Sequence, residues 1–493
     1  MTLTSVKEAI RHPDKFFIGG DWVDPSSDAV IEVKDSYSEE VFLTVAAAQR
    51  ADMDRAVAAA RRAFDTSGWP LLAPAERAVW LRKIAAAWEK RADAAADSWT
   101  AESGVLRSMS AYNHVMLSGI FNKYADLADS FAWQTKHVSE DGLPALLVKE
   151  AVGVVAAIIP WNAPAMLMAH KVGPALIAGC TVVLKLSPEA PSCGYLLAEI
   201  CQEIGLPAGV FNVVTADREV SEQLVRHPDI DKVSFTGSTV AGRKIASICG
   251  DRIARCTLEL GGKSPGIVLD DYDVATAAAK ITAFAPLMSG QVCSSLTRII
   301  VTEKRHDDLV EALSSAFGSI KVDNPFDMTT QMGPLASEIQ RERVEGYIAK
   351  GKADGAKLAL GGGRPKHLNH GYFIEPTVFG GVDNSWTIAR EEIFGPVLSV
   401  IPARDEEHAI EIANDTIYGL NASIFTNDSD KAYALGRKIR SGTVGQNGFK
   451  SDFGIAFGGF KQSGLGREGT VEGIHSYVES KTMIFDQEPS QTK

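Results

Sequence analysis

Between residues 151 and 236 the chain alternates short, continuous apolar runs with segments whose apolar positions recur at helical spacing. The runs Ala151 to Ile159, Cys180 to Lys185, Val210 to Val214 and Lys232 to Thr236 predict strands that are apolar throughout. The segments between them predict helices from Pro164, from Ser192 and near Ser221. Strands of this kind alternating with helices indicate a parallel sheet covered on both faces. After Gly261 the alternation restarts with Gly266 to Leu269, a helix through Ala275 to Phe284 and a strand from Arg298 to Val301. The fold class is therefore α/β, with two parallel-sheet domains.

The first 150 residues read differently. Phe16 to Val23 predicts a short hairpin turning at Gly19-Gly20, and Val41 to Ala47 a further extended piece. Met53, Val57, Ala60 and Phe64 recur at helical spacing, and Ala75 to Thr100 continues as one long alanine-rich amphipathic helix. Residues 131–149 and 477–485 are strand-like and can pair outside the two main domains.

Composition narrows the function. A chain of 493 residues exceeds the usual domain size of about 100–200, so two or three domains are expected. A net charge of −12 argues against nucleic acid or an anionic membrane surface as the main partner. The longest apolar run is about half the ~20 residues that span a bilayer, so no membrane helix is expected. The N-terminus lacks the basic start and apolar segment of a secretory signal, so a cytoplasmic chain is expected. Six cysteines without a Cys-x-x-Cys pair predict reduced thiols and no metal site.

Three short stretches carry candidate chemistry. Phe235-Thr236-Gly237-Ser238-Thr239-Val240-Ala241-Gly242 follows a predicted strand and opens a helix, where backbone N–H groups and a serine hydroxyl suit a pyrophosphate. Such turns are common, and this is not the three-glycine fingerprint. In Thr257-Leu258-Glu259-Leu260-Gly261-Gly262-Lys263 a carboxylate ends an apolar segment. It reads either as a buried general base or as a structural partner of Lys263 at a domain hinge. Cys293, in the small-residue turn Ser289-Gly290-Gln291-Val292-Cys293-Ser294-Ser295, reads either as a nucleophile or as an inert buried thiol.

Taken together, Pro160-Trp161-Asn162, Phe235-Thr236-Gly237-Ser238, Glu259 to Pro265, Gly290 to Cys293, Glu391 to Val397 and Phe457 to Gly464 resemble, in order and spacing, the NAD(P)-dependent aldehyde dehydrogenase superfamily. The resemblance covers nearly the whole chain. It implies that Cys293 attacks an aldehyde, that a thiohemiacetal becomes a thioester, and that Glu259 activates water for hydrolysis. Asn162, with the backbone N–H of Cys293, would stabilise the oxyanion. Lys185 and Glu392 would hold the two riboses and Gly237 and Ser238 the pyrophosphate, while Ile158, Trp161 and Phe394 would bound the cofactor cleft. Lys171 and Glu468 match positions tied to proton handling, although a structural salt bridge serves each equally well.

The same resemblance implies a division of the chain. Residues 1–131 and 151–260 form the cofactor-binding domain and 261–447 the catalytic domain. Residues 132–150 and 477–493 form bridging or oligomerisation segments, and 448–476 return to line the substrate entrance. A homodimer or homotetramer follows from resemblance alone.

Two departures from the family pattern matter. Many NAD-preferring relatives carry glutamate three residues after the lysine, whereas Lys185-Leu186-Ser187-Pro188-Glu189 has proline there. This predicts NAD as the main cofactor with NADP tolerated. At Ala163 and His170, small-aldehyde relatives often carry bulky aromatics, so the tunnel of Ala163, Leu167, His170, Val292 and Ser294 is expected to be wide. Phe449, Phe453 and Phe457 then supply an apolar wall, and a medium or large hydrophobic aldehyde is the expected substrate; the alternative for these phenylalanines is ordinary core. The competing functions are a CoA-acylating relative, which the presence of Glu259 disfavours, and a non-catalytic protein retaining the fold.

Overall fold

The structure is a computed structural model describing Val6 and residues 9–490. An eight-stranded sheet runs in the order Gly464–Leu465, Arg255–Glu259, Lys232–Thr236, Val154–Ile158, Thr181–Leu186, Phe211–Thr215, Phe16–Ile18 and Asp21–Val23. The five strands from Arg255–Glu259 to Phe211–Thr215 are parallel, and the hairpin at one edge and Gly464–Leu465 at the other are antiparallel. All but one of those five are buried at every position, as their uniform apolar character requires.

The second sheet runs Lys357–Leu360, Thr377–Gly380, Val397–Ala403, Leu296–Thr302, Ser264–Val268, Asn421–Phe425 and Thr443–Gln446. It is parallel except at Lys357–Leu360. The α/β class with two parallel sheets is thus the observed one. A three-stranded antiparallel sheet joins Gln134–Val138, Pro144–Ala151 and Val478–Ile484.

The helix expected over Ala75 to Thr100 is two helices, Pro74–Glu89 and Ala92–Ser103. Arg91 N–H closes a turn on the Trp88 carbonyl (2.8 Å) between them. Apolar periodicity is blind to such a break, because both halves carry the same alanine-rich face. Its consequence reaches the cleft: Trp99 Nε1 donates to the Asn162 carbonyl (2.9 Å) and Ser103 Oγ to the Trp161 carbonyl (2.7 Å).

Helix Pro164–Ala178 is buried on nearly its whole circumference. It carries His170 and Lys171 into the core, where each needs a partner. No helix among the described residues is long and apolar enough to cross a membrane.

Candidate active site

The parallel strands of the first sheet end together. Ile158 pairs in register with Lys185 and Phe235, and Thr236 with Glu259. Chain order reverses between Val154–Ile158 and Lys232–Thr236, and the crevice beyond the strand ends at such a point is where doubly wound sheets bind ligands. Gly237 N–H donates to the Glu259 carbonyl (3.0 Å), and exposed Ser238 caps helix Thr239–Asp251 by accepting from Ala241 N–H (3.3 Å). A helix N-terminus opening on this crevice fits a pyrophosphate.

Lys185 is buried beside it. Burial pulls its ammonium down to about 8, and Glu189 and Asp217 act in the opposite direction. Such a cation at a strand end fits ribose hydroxyls or phosphate oxygens. Glu189 accepts a hydrogen bond from Ser187 Oγ, so a carboxylate does face Lys185, one residue later than the family pattern places it.

The cysteine stands on irregular backbone. Met288, Ser289 and Gly290 are successively left-handed, with φ of 47°, 55° and 76°. Two side-chain-bearing residues in this region cost about 2–4 kcal/mol together. Four hydrogen bonds at about 1 kcal/mol each offset this. Ser289 Oγ donates to the Gly333 carbonyl (2.8 Å), Ala336 N–H to Gln291 Oε1 (3.0 Å) and Gln291 Nε2 to the Met288 carbonyl (2.9 Å). The fourth comes from across the cleft, where Asn162 Nδ2 donates to the Gln291 carbonyl (2.9 Å). An amide nitrogen carries two protons, so one remains for a ligand at Cys293.

Glycines set the spacing of these parts. A Cβ on Gly290 would lie 2.3 Å from the Gly395 backbone, and one on Gly262 would lie 2.2 Å from the Cys293 carbonyl oxygen. Gly262 N–H donates to Glu392 Oε1 (3.0 Å), and Trp161 meets Phe394 edge-on at 5.5 Å between ring centroids. Phe394 is itself left-handed (φ 63°), its carbonyl held by Gln340 Nε2 (2.7 Å).

Cys293, Glu259 and Glu392 interact electrostatically. Burial, then the Glu392 and Glu259 carboxylates, push the Cys293 thiol well up. Glu392 rises to about 7 through burial, held back by the Gly262 N–H, Arg343 and Lys263. Glu259 is 2 % exposed, and neither carboxylate oxygen has a hydrogen-bonding partner among the described residues. Burial and then Glu468 hold it far above the carboxylate range. Lys263 is not its partner, so the hinge salt bridge weighed from sequence is absent; the Lys263 amine also lies buried without a partner among the described residues.

Lys171 forms a buried salt bridge with Glu468 and donates to Ser234 Oγ (3.3 Å). Glu468 is tied by backbone pairing to Phe457, in both directions at 2.7 Å. Phe457 stacks on Phe453 (4.1 Å) and Phe453 on His170 (4.5 Å). His170 therefore forms a plate in an aromatic wall, its Nδ1 hydrogen-bonded to the Tyr124 hydroxyl (3.1 Å) and its imidazole held neutral, near 3, by burial. Although His170 and Lys171 are sequence neighbours, they face different surroundings. Ala163, Leu167 and Ser294 are buried and Val292 half-buried, while Phe449 packs on Phe284 (5.7 Å) rather than in the stack.

A profile of the aldehyde dehydrogenase family matches residues 22–483. The chain belongs to that family. This aldehyde dehydrogenase is 42 % identical over 470 residues to geranial dehydrogenase of Castellaniella defragrans, covering 95 % of this chain and 98 % of that one. Among solved structures, an aldehyde dehydrogenase of Mycobacterium tuberculosis complexed with NAD+ superposes with a TM-score of 0.93 at 44 % identity, covering 96 % of this chain and 98 % of the other. A mutant aldehyde dehydrogenase C of Pseudomonas syringae, complexed with NAD+ and octanal, gives 0.92 at 39 %, covering 96 % and 97 %.

Within this aldehyde dehydrogenase, sequence reasoning passed over Trp99, Gln291, Tyr124 and Ser234, which position Asn162, the cysteine turn, His170 and Lys171. Only Gln291 could have been noticed, since it lies inside the cysteine motif.

Proposed function

We propose that the protein oxidises a medium or large hydrophobic aldehyde to its acid, with NAD+, through a covalent intermediate on Cys293. The observation that carries this is the meeting of Asn162 with the Cys293 turn, opposite a buried carboxylate, Glu259, with both oxygens free of hydrogen-bonding partners among the described residues. Cys293 sulfur adds to the aldehyde carbon and its proton passes to the neighbouring Glu259 carboxylate, while Asn162 Nδ2 and the Cys293 N–H hold the oxyanion. Lys185, Ser238 and Glu392 hold NAD+, which when bound supplies the hydride acceptor, and Trp161 and Phe394 bound its cleft.

Once the carbon is oxidised, a thioester remains on Cys293. Glu259 takes a proton from water, the hydroxide adds, and the sulfur leaves as the acid departs. Glu468, held by the Lys171 ammonium and acting electrostatically on Glu259, then accepts the proton from Glu259 and restores its carboxylate.

The stacked His170, Phe453 and Phe457 favour flat or extended apolar aldehydes, in keeping with the octanal and geranial named for the relatives. Glu189 disfavours a 2′-phosphate, so NADP is accepted less efficiently than NAD. The subunits form a homodimer or homotetramer through the three-stranded sheet, whose strand Gln134–Val138 is exposed throughout. Free thiols at all six cysteines suit the cytoplasm.

The test is NADH formation, followed by absorbance at about 340 nm across an aldehyde series. Wild type is expected to prefer hydrophobic aldehydes, and Cys293→Ala to be inactive. Turnover surviving that substitution contradicts the mechanism, and an optimum at acetaldehyde contradicts the substrate class.

A further inference from the structure

A tight turn joins helix Thr239–Asp251 to strand Arg255–Glu259. The chain reverses on left-handed Ile253 (φ 57°), with Ile253 N–H donating to the Gly250 carbonyl (3.3 Å) and Ala254 N–H to the Cys249 carbonyl (2.9 Å). The reversal lays the last turn of the helix against the start of the strand. Cys249 ends the buried stripe of the helix with Ile245 and Ile248, and Cys256 packs against the same apolar cluster, on the strand face it shares with Leu258. The two thiols meet there, and the Cys249 S–H donates to the Cys256 sulfur. Both are free thiols.

The two differ in access. Cys249 is 1 % exposed, whereas Cys256 is half-buried. Among the described residues, the neighbouring strand Gly464–Leu465 pairs with Leu258 and Glu259 alone, so Arg255 and Cys256 stand beyond its end on an open sheet edge. Cations flank the pair. Arg252 is fixed by donating from Nη1 to the Ile230 carbonyl (2.6 Å) and from Nη2 to the Val225 carbonyl (3.2 Å). Its Nε is buried without a hydrogen-bonding partner among the described residues, and its charge favours a thiolate on Cys249. Lys232, beside Arg255 in the neighbouring strand, favours a thiolate on either sulfur.

The shared hydrogen bond draws the Cys256 thiol below the usual thiol range, against burial, and pushes Cys249 up. Burial pushes Cys180, Cys193 and Cys201 up, and burial with two carboxylates does the same to Cys293. A partly exposed thiolate is the form that reacts with an oxidant, and a second thiol in contact with it resolves the product.

We propose that Cys249 and Cys256 are a redox pair, which a peroxide oxidises to a reversible intramolecular disulfide. The Cys256 thiolate attacks one peroxide oxygen, the O–O bond breaks and hydroxide departs, which makes Cys256 a sulfenic acid. The Cys249 sulfur then attacks the Cys256 sulfur, the S–O bond breaks, and the hydroxyl leaves as water with the Cys249 proton. The two thiols lose two electrons in all, and the peroxide gains them. A thiol reductant reverses the bond by exchange. While it lasts, it ties the helix that opens at Ser238 to the strand that ends at Glu259.

The test is peptide mapping of the full-length enzyme after equimolar hydrogen peroxide and blocking of the remaining thiols with iodoacetamide. Trypsin cuts after Arg252 and Arg255, so the two cysteines fall in separate peptides, 245–252 and 256–263. The expected product is these two peptides joined by a disulfide, lighter by two hydrogens than their sum and separated by dithiothreitol. A Cys249→Ser variant should stop at the sulfenic acid on Cys256, trapped by dimedone, and a Cys256→Ser variant should leave Cys249 a free thiol. The wild-type map decides the matter even where a variant fails to fold. Peptides 245–252 and 256–263 recovered unlinked, either cysteine joined to a different one, or dimedone on Cys249 in the Cys256→Ser variant would overturn the proposal.

Discussion

The two walls of the cleft are made in different ways. On one side, Ile158, Lys185, Gly237 and Ser238 stand at the ends of regular parallel strands, placed by ladder register and a helix cap. On the other, the turn to Cys293 starts on left-handed backbone at Met288, Ser289 and Gly290, and Phe394 is left-handed too; these parts are placed by glycine contacts and side-chain hydrogen bonds. Regular elements tolerate small changes, because many ladder bonds share the load. The irregular wall has few alternatives, so local changes there should reach the reacting sulfur.

The largest effect is expected at Asn162, which joins the walls. Asn162→Ala removes a strut of the turn and the proposed oxyanion donor, and kcat should fall about 10²–10³-fold with little change in KM for NAD+. A rise in KM for NAD+ with kcat intact would instead place Asn162 on the cofactor side only.

Gly290→Ala tests the irregular wall alone. A Cβ there meets Gly395 at 2.3 Å on a residue whose φ is 76°, and the displaced turn should lower kcat about 10²-fold. An enzyme with normal kcat and only a lower unfolding temperature would mean that the turn relaxes without moving the sulfur.

The smallest effect belongs to the regular wall. Glu189→Gln removes the carboxylate beside Lys185 and should narrow the preference in kcat/KM for NAD over NADP about tenfold, leaving kcat with NAD unchanged. An unchanged ratio would show that Glu189 points away from the 2′-hydroxyl.

The same contrast decided what could be read from the sequence. Uniform apolar runs identified four of the five parallel strands of the first sheet, and the strand ends then placed Ile158, Lys185 and Ser238 beside one crevice; in the second sheet they identified only Ser264–Val268 and Leu296–Thr302. Nothing in the identities of Met288 and Ser289 marks left-handed backbone; only Gly290 hinted at it. Local context paired Glu259 with Lys263, yet neither group has a hydrogen-bonding partner among the described residues. Neighbours such as Tyr124 and Ser234 lie 46 and 63 residues from the groups they hold, beyond any periodicity. The carboxylate at Glu189 was in plain view, but strict motif spacing put it one residue out of place. Six motifs in register found the family where each alone was weak.

The division of labour between Cys293 and Glu259 is tested most directly by rapid mixing of Glu259→Gln with NAD+ and a hydrophobic aldehyde, while NADH and the mass of the protein are followed together. The expected result is a rapid, stoichiometric burst of NADH, an acyl adduct on Cys293, and steady-state turnover slowed about 10²-fold or more. A variant that turns over at the wild-type rate, or one that loses the burst itself, would contradict the assignment of Glu259 to hydrolysis.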